Sequence, residues 1–170
     1  QPFGICAISN DITERMQTEN ALRESEEKFK YLFDNSTVGK SLTLISGEMT
    51  ANKTLCDMFG YTEAEFQNKK WQEITHPEDI ELTQREIEKL FSGEQNLARF
   101  VKRYIHKNGS VVWVDLSSSL RRDQDGKPLY LMTSVIDITK RVHAEEEIKK
   151  LARHYQALIE KAPDGIVLLN

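Results

Sequence analysis

Four histidines and two cysteines, with serines and acidic residues around them, are the side chains of this 170-residue chain that could do chemistry. His76 stands before Pro77, Glu78 and Asp79, and a histidine beside two carboxylates is a pattern for general acid–base work. The same residues also open a helix, with proline in the first turn and acids at the positive end of the dipole, so capping accounts for them without catalysis. His154 lies in a helical stretch where a phospho-accepting histidine could sit. Arg153-His154-Tyr155 lacks, however, the following acid and the later Thr-Pro of kinase acceptors. No Gly-x-Ser-x-Gly turn presents a nucleophile. His76, His106, His143 and His154 never pair with another His or Cys at a metal-ligand spacing. A phosphate-cradling loop and a G-x-G-x-x-G fingerprint are both missing from the sequence. No catalytic motif and no metal site emerge.

Composition narrows the class. Hydrophobic residues make up 39% and charged residues 29%, which supplies a core and a well-solvated surface for about one domain with extensions. A net charge of −4, without clustered Lys or Arg among stacking aromatics, predicts no nucleic-acid partner and no direct membrane contact. No apolar run approaches the roughly 20 residues that cross a bilayer. Cys6 and Cys56 read as free thiols, which suggests a cytoplasmic setting.

The elements that carry these residues are legible from spacing. From Arg15 to Phe33 and from Arg141 to Ala162 the chain is rich in Glu, Lys, Arg, Ala and Leu and has no Gly or Pro, which predicts two helices. In the second, Ile148, Leu151, Tyr155, Leu158 and Ala162 follow steps of 3, 4, 3 and 4, the seam of a coiled coil. The first repeats those steps at Leu22, Ser25, Phe29 and Leu32, with a polar Ser on the seam. Helices of this length are marginal alone and must pack on their own domain or on a partner helix, as in a homodimer.

Between them, 38–45 and 48–51 read as a hairpin. Asn52 caps a short helix that ends at Gly60, and Thr62 with Glu65 forms a capping box, with Tyr61 stapled to Phe66. Pro77 starts a longer helix to about Phe91. Strands follow at about 97–106, 110–121 and 128–138. In the middle strand Val112, Val114, Leu116, Ser118 and Leu120 share one face, which the short helices cover. Trp113 on the other face needs a cover of its own, for which the connecting helix is the candidate. The class is α+β, an antiparallel sheet with helices on one side.

The chain also matches itself. Residues 1–44 align without a gap on 127–170, and nine of the 44 pairs are identical, including Asp11-Ile12-Thr13 with Asp137-Ile138-Thr139 and Arg15 with Arg141. Tandem modules with a 126-residue period follow. The map is then 1–13, terminal strand of a preceding copy; 14–33, connector helix; 34–139, a full module; 140–162, connector helix; 163–170, first strand of a following copy.

The residues Val38-Gly39, Asn52, Gly60-Tyr61-Thr62-x-x-Glu65, Trp71, His76-Pro77-x-Asp79, Arg103-Tyr104-x-x-Lys107-Asn108-Gly109-Ser110-x-x-Trp113-Val114, Arg122-Asp123-x-x-Gly126-x-Pro128 and Asp137-Ile138-Thr139-x-Arg141 together resemble the PAS family, a PAS core with its PAC half. The resemblance spans 34–141 and implies a five-stranded antiparallel sheet that encloses a pocket against short helices, flanked by connector helices. It implies a sensory or dimerising module in a bacterial or archaeal multi-domain signalling protein, with neighbouring PAS modules in the same chain and a histidine kinase or cyclic-dinucleotide enzyme as output. Asp137, Thr139 and Arg141 look like its signal-transfer element, in which Asp137 or Thr139 caps the connector and Arg141 pairs with Asp137. Ile148, Leu151, Tyr155 and Leu158 are the dimer seam.

The pocket lining expected on this basis is Phe59, Trp71, Leu82, Val112, Val114, Leu131, Thr133 and Val135. Flavin is disfavoured, because Asn68-Lys69-Lys70-Trp71 lacks the family's Cys and Val135 stands where its Gln would be. Haem is disfavoured because 80–91 holds no His. A small organic ligand and a pocket filled by its own side chains both stay open, and with the second goes the alternative of a structural spacer.

Overall fold

The computed structural model describes residues 4–161. Strands β1 (Gly39–Leu44) and β2 (Met49–Ala51) form the first hairpin. Four helices follow: α2 (Lys53–Phe59), α3 (Glu63–Gln67), α4 (Trp71–Ile74) and, after a 3-10 turn at Pro77–Asp79, α5 (Ile80–Ser92). Strands β3 (Ala98–Ile105), β4 (Val111–Arg122) and β5 (Pro128–Asp137) complete one antiparallel sheet in the order β2-β1-β5-β4-β3. Helices α1 (Gly4–Asp34) and α6 (Thr139–Lys161) flank it. The predicted α+β class, the first hairpin and the three antiparallel strands after the helices are those observed, while α4 and the pairing of β1 with β5 were not predicted.

Local chemistry sets the joints. Thr62 and Glu65 cap each other's backbone amides, and Tyr61 meets Phe66 edge-on at 5.4 Å between ring centres. Gly60 closes α2 at φ 74°, and a Cβ there would fall 2.6 Å from the His106 ring, so glycine alone lets the β3–β4 turn sit on the helix end.

Asn52 does more than cap. Fully buried, its Oδ1 accepts from the amides of Lys40 and Leu55 at 2.8 and 3.0 Å, while its Nδ2 donates to the carbonyls of Phe33 and Val38 at 2.9 and 3.0 Å. One amide group thus ties the end of α1, the start of β1 and the start of α2 together.

Two expectations are corrected. Residues 4–13 were expected as a strand, and they are helical, continuous with the rest of α1. A strand needs a ladder, and among the described residues none lies beside this segment, so the backbone keeps bonding within the helix. The predicted strand at 163–170 lies outside the described residues.

The second correction concerns Trp113. Residues 14–32 of α1 are exposed throughout and do not cover it. The Arg103 guanidinium does, with its carbon 5.4 Å from the indole centre. Elsewhere on the outer face of the sheet Val101, Val111, Met132 and Ile136 stay exposed.

Replacing Asn52 with Ala strands two amides and two carbonyls in a dry site. We expect a loss of roughly 3–5 kcal/mol, read from the urea midpoint. A loss below about 1 kcal/mol would mean that water reaches these groups.

Candidate functional site

The inner face of the sheet divides into two halves by side-chain size. Under α2 and α3 it is filled by Phe59, Phe66 and Tyr104, with ring centres 6.3 Å (Phe59–Phe66) and 4.8 Å (Phe59–Tyr104) apart, packed on Val112, Val114 and Val135. Under α5 the sheet offers small residues, Ser41, Ala98, Ser118 and Thr133, and these leave a cavity of about 40 Å³. Trp71, Thr83, Ile87 and Leu90 form its roof, while Phe100, Leu116 and Leu131 add apolar wall.

Of the residues expected to line a pocket, Trp71, Leu131 and Thr133 do so. Phe59, Val112, Val114 and Val135 lie instead in the close-packed half of the core. Leu82 is half-buried and off the cavity, because the inward phase of α5 runs through Thr83, Ile87 and Leu90, at steps of four and three.

The group that sequence reasoning missed is Lys102. It is 2% exposed, and its Nζ donates to Thr75 Oγ1 at 3.1 Å and to Thr83 Oγ1 at 3.4 Å. Both hydroxyls spend their own protons on backbone carbonyls, Thr75 on Trp71 and Thr83 on Asp79, each at 2.7 Å, so their lone pairs are left to face the lysine. The ring faces of Tyr104 and Trp71 lie 4.1 and 5.5 Å from Nζ. Burial pushes the ammonium down to about 7, against a weaker opposing pull from Asp79. The signal was available in the alternation of β3, where Lys102 falls between Phe100 and Tyr104 on the inward face.

The His76–Glu78–Asp79 cluster has a structural task. His76 Nδ1 accepts from the Glu78 amide at 3.4 Å as a long cap. Asp79 makes no cap bond and takes Arg103 in a fork instead, Nη2 to Oδ1 at 2.6 Å and Nε to Oδ2 at 3.0 Å, with the Arg103 amide on Oδ2 at 2.7 Å. The guanidinium holds the Asp79 carboxyl below its ordinary range.

A second constellation stands where β5 becomes α6. Asp137 Oδ1 accepts from the Thr139 amide at 2.8 Å. Thr139 Oγ1 accepts from the Trp113 amide at 3.0 Å, and the Ile138 amide donates to the Trp113 carbonyl at 2.8 Å. Ile138 itself is buried. Arg141 does not pair with Asp137. Its Nε lies 3.8 Å from Glu145 one turn further on, because the Asp137 oxygen is turned to the backbone. Ile148, Leu151, Tyr155 and Leu158 are all exposed along α6. Among the described residues no group of three or more His, Cys, Asp or Glu side chains is placed to hold a metal, and no helix is long and apolar enough to cross a membrane.

The sheet order and the helix block over one face are those of a known fold, and the model of the PAS fold family matches residues 48–135. This chain belongs to the PAS family. It is 36% identical over 82% of its length to the "Probable diguanylate cyclase DgcE" of Escherichia coli, and 29% identical over 89% to the "Sensor histidine kinase TmoS" of Ectopseudomonas mendocina. It spans only 12% and 16% of those two proteins. The crystal structure of a PAS domain from Colwellia psychrerythraea superposes with a TM-score of 0.62 at 18% identity, covering 67% of this chain and 97% of that one. The chain is a PAS domain homologous to the sensor modules of such signalling proteins.

The buried lysine has a thermodynamic signature. Unfolded, Lys102 titrates near 10.4, and folded near 7, so between these values the unfolded state holds more protons and stability rises with pH. Below about pH 7 the full desolvation cost applies, on the order of 3–5 kcal/mol. We expect Lys102→Met to be more stable than the parent at pH 6, with the difference shrinking as pH approaches 10. Parallel pH profiles of the two unfolding midpoints would contradict the burial of the charge.

Proposed function

We propose that this PAS module relays the state of its cavity half into α6, pairs with a second copy along that helix, and does so as one copy in a tandem array within a longer signalling protein. The observation that carries the relay is a pair of hydrogen bonds, from the Ile138 amide to the Trp113 carbonyl and from the Trp113 amide to the Thr139 hydroxyl oxygen. Through it, the start of α6 is fixed to β4, the strand that also contributes Leu116 and Ser118 to the cavity wall. A change of cavity contents that shifts β4 therefore moves the first turn of α6.

The pairing reading rests on the exposed seam Ile148, Leu151, Tyr155 and Leu158, since an apolar stripe on a long helix gains most from a like stripe. A tandem map with the full module at 34–139 is supported by the internal repeat. A kinase or cyclic-dinucleotide output is supported by the two relatives, a probable diguanylate cyclase and a sensor histidine kinase, and a cytoplasmic setting by the sequence alone. The modest size of the cavity favours a second reading, a structural spacer whose core fills itself.

Thr139→Val removes the acceptor of the Trp113 amide. We expect the Trp113 amide and those of the first turn of α6 to exchange about tenfold faster while the rest of the sheet keeps its protection. Unchanged exchange in that turn would sink the relay. Ile148→Asp with Leu158→Asp should weaken self-association at least about tenfold, read by sedimentation equilibrium. An unchanged mass at all concentrations would reject the seam.

A further inference from the structure

The cavity pairs a buried ammonium with a wall that has no counter-charge. None of its lining residues is acidic. The carboxylate that acts on Lys102 from outside is Asp79, and both of its oxygens are engaged by Arg103. At Nζ the partners are two threonine lone pairs and two ring faces, which orient the ammonium without neutralising it. Elsewhere in the cavity Ser118 and Thr133 share one hydrogen bond of 3.0 Å, so one of their two hydroxyl protons stays available to a guest.

Size limits what fits. One water occupies roughly 10–15 Å³ of such space, so about 40 Å³ holds on the order of three or four non-hydrogen atoms. A bulky planar cofactor is too large, a metal has no ligand set, and a purely apolar guest would leave the ammonium unanswered.

We infer that the cavity is the binding site of a short organic monocarboxylate on the scale of formate or acetate, with its oxygens on Lys102 and its carbon end against Phe100, Leu116 and Leu131. A carboxylate supplies the charge that the protein withholds, and the hydrogen bond it accepts is of the charge-assisted kind. It also converts the most costly residue of the core into a satisfied pair, so binding and stability rise together. With so few atoms the affinity is weak, no tighter than about 0.05 mM. This inference rests on the reading of the chain as a ligand-responsive sensory module.

Binding is pH-dependent because the anion takes the ammonium form. From β3 the titratable group facing Nζ is Tyr104, whose phenol burial pushes up and keeps neutral. At the start of α5 it is Asp79, held anionic by Arg103. From α4, β1, β4 and β5 the cavity receives no titratable side chain. Affinity therefore follows Lys102 and falls about tenfold per pH unit once the pH exceeds its value near 7.

The test is titration of the whole chain with formate, acetate, acetamide and chloride at matched ionic strength, followed by amide NMR at pH 6 and pH 9. The expected result is saturable shifts around Thr83, Lys102 and Ser118 with the two carboxylates at pH 6, much weaker at pH 9. Acetamide and chloride should give none, and Lys102→Met should weaken carboxylate binding at least about tenfold. The Met variant is expected to fold, and Thr83→Val supplies a second variant that leaves the charge in place and should weaken binding less. Equal binding of acetamide, binding retained by Lys102→Met, or no saturable shift with any probe would each overturn the inference. Carboxylate binding without any movement of the α6 amides would support the site and refute the relay instead.

Discussion

The fork between Asp79 and Arg103 is the constraint on which the working half of the molecule depends. β3 is an edge strand, and its outward backbone groups need partners. The segment from Thr75 to Asp79 provides them: Thr75 bridges to Tyr104, the His76 amide donates to the Arg103 carbonyl at 3.0 Å, and the Asp79 carboxylate accepts the Arg103 amide at 2.7 Å. Because α5 begins at the next residue, the clasp on the edge also fixes where that helix crosses the sheet. Arg103 goes outward to Trp113 while Lys102 beside it goes inward, so the same strand position that seals the edge delivers the charge to the cavity.

The cavity is what a graded core leaves over. In one half, rings large enough to touch each other across the sheet exclude space. In the other, serine, alanine and threonine stand beneath α5 and leave space unfilled. The void comes from this distribution of volumes, and no motif encodes it.

That difference explains what was legible in the sequence. Features set within a few residues could be read: the Thr62–Glu65 box, the Asn52 cap, the turn glycines and the alternation of β4 gave most elements of the module, the antiparallel class and the family. Features set by what lies across the fold could not. Five of the eight expected lining residues, Phe59, Leu82, Val112, Val114 and Val135, miss the cavity, since apolarity says a residue is inside without saying which half. Asp11-Ile12-Thr13 and Asp137-Ile138-Thr139 share one sequence and two conformations. The second triplet is held by Trp113 on a neighbouring strand, and the first continues a helix. Propensity yields to tertiary context where the two conflict.

Lys102 is where the sequence breaks its own pattern. β3 places Ala98, Phe100 and Tyr104 inward, and an apolar residue at 102 would pack between two rings at no electrostatic cost. An ammonium there lowers stability at neutral pH by desolvation, and the two threonine hydroxyls recover only part of it. Buried charges replaced by well-packed apolar groups usually leave a protein as stable or more so. A fold under selection for stability alone therefore has an easy route away from this residue, and the hydroxyls arranged around it run the other way, towards keeping it oriented. Departures of this kind from local consistency are where function is most economically sought. In this molecule the departure, the void and the strand that leads to α6 share one wall.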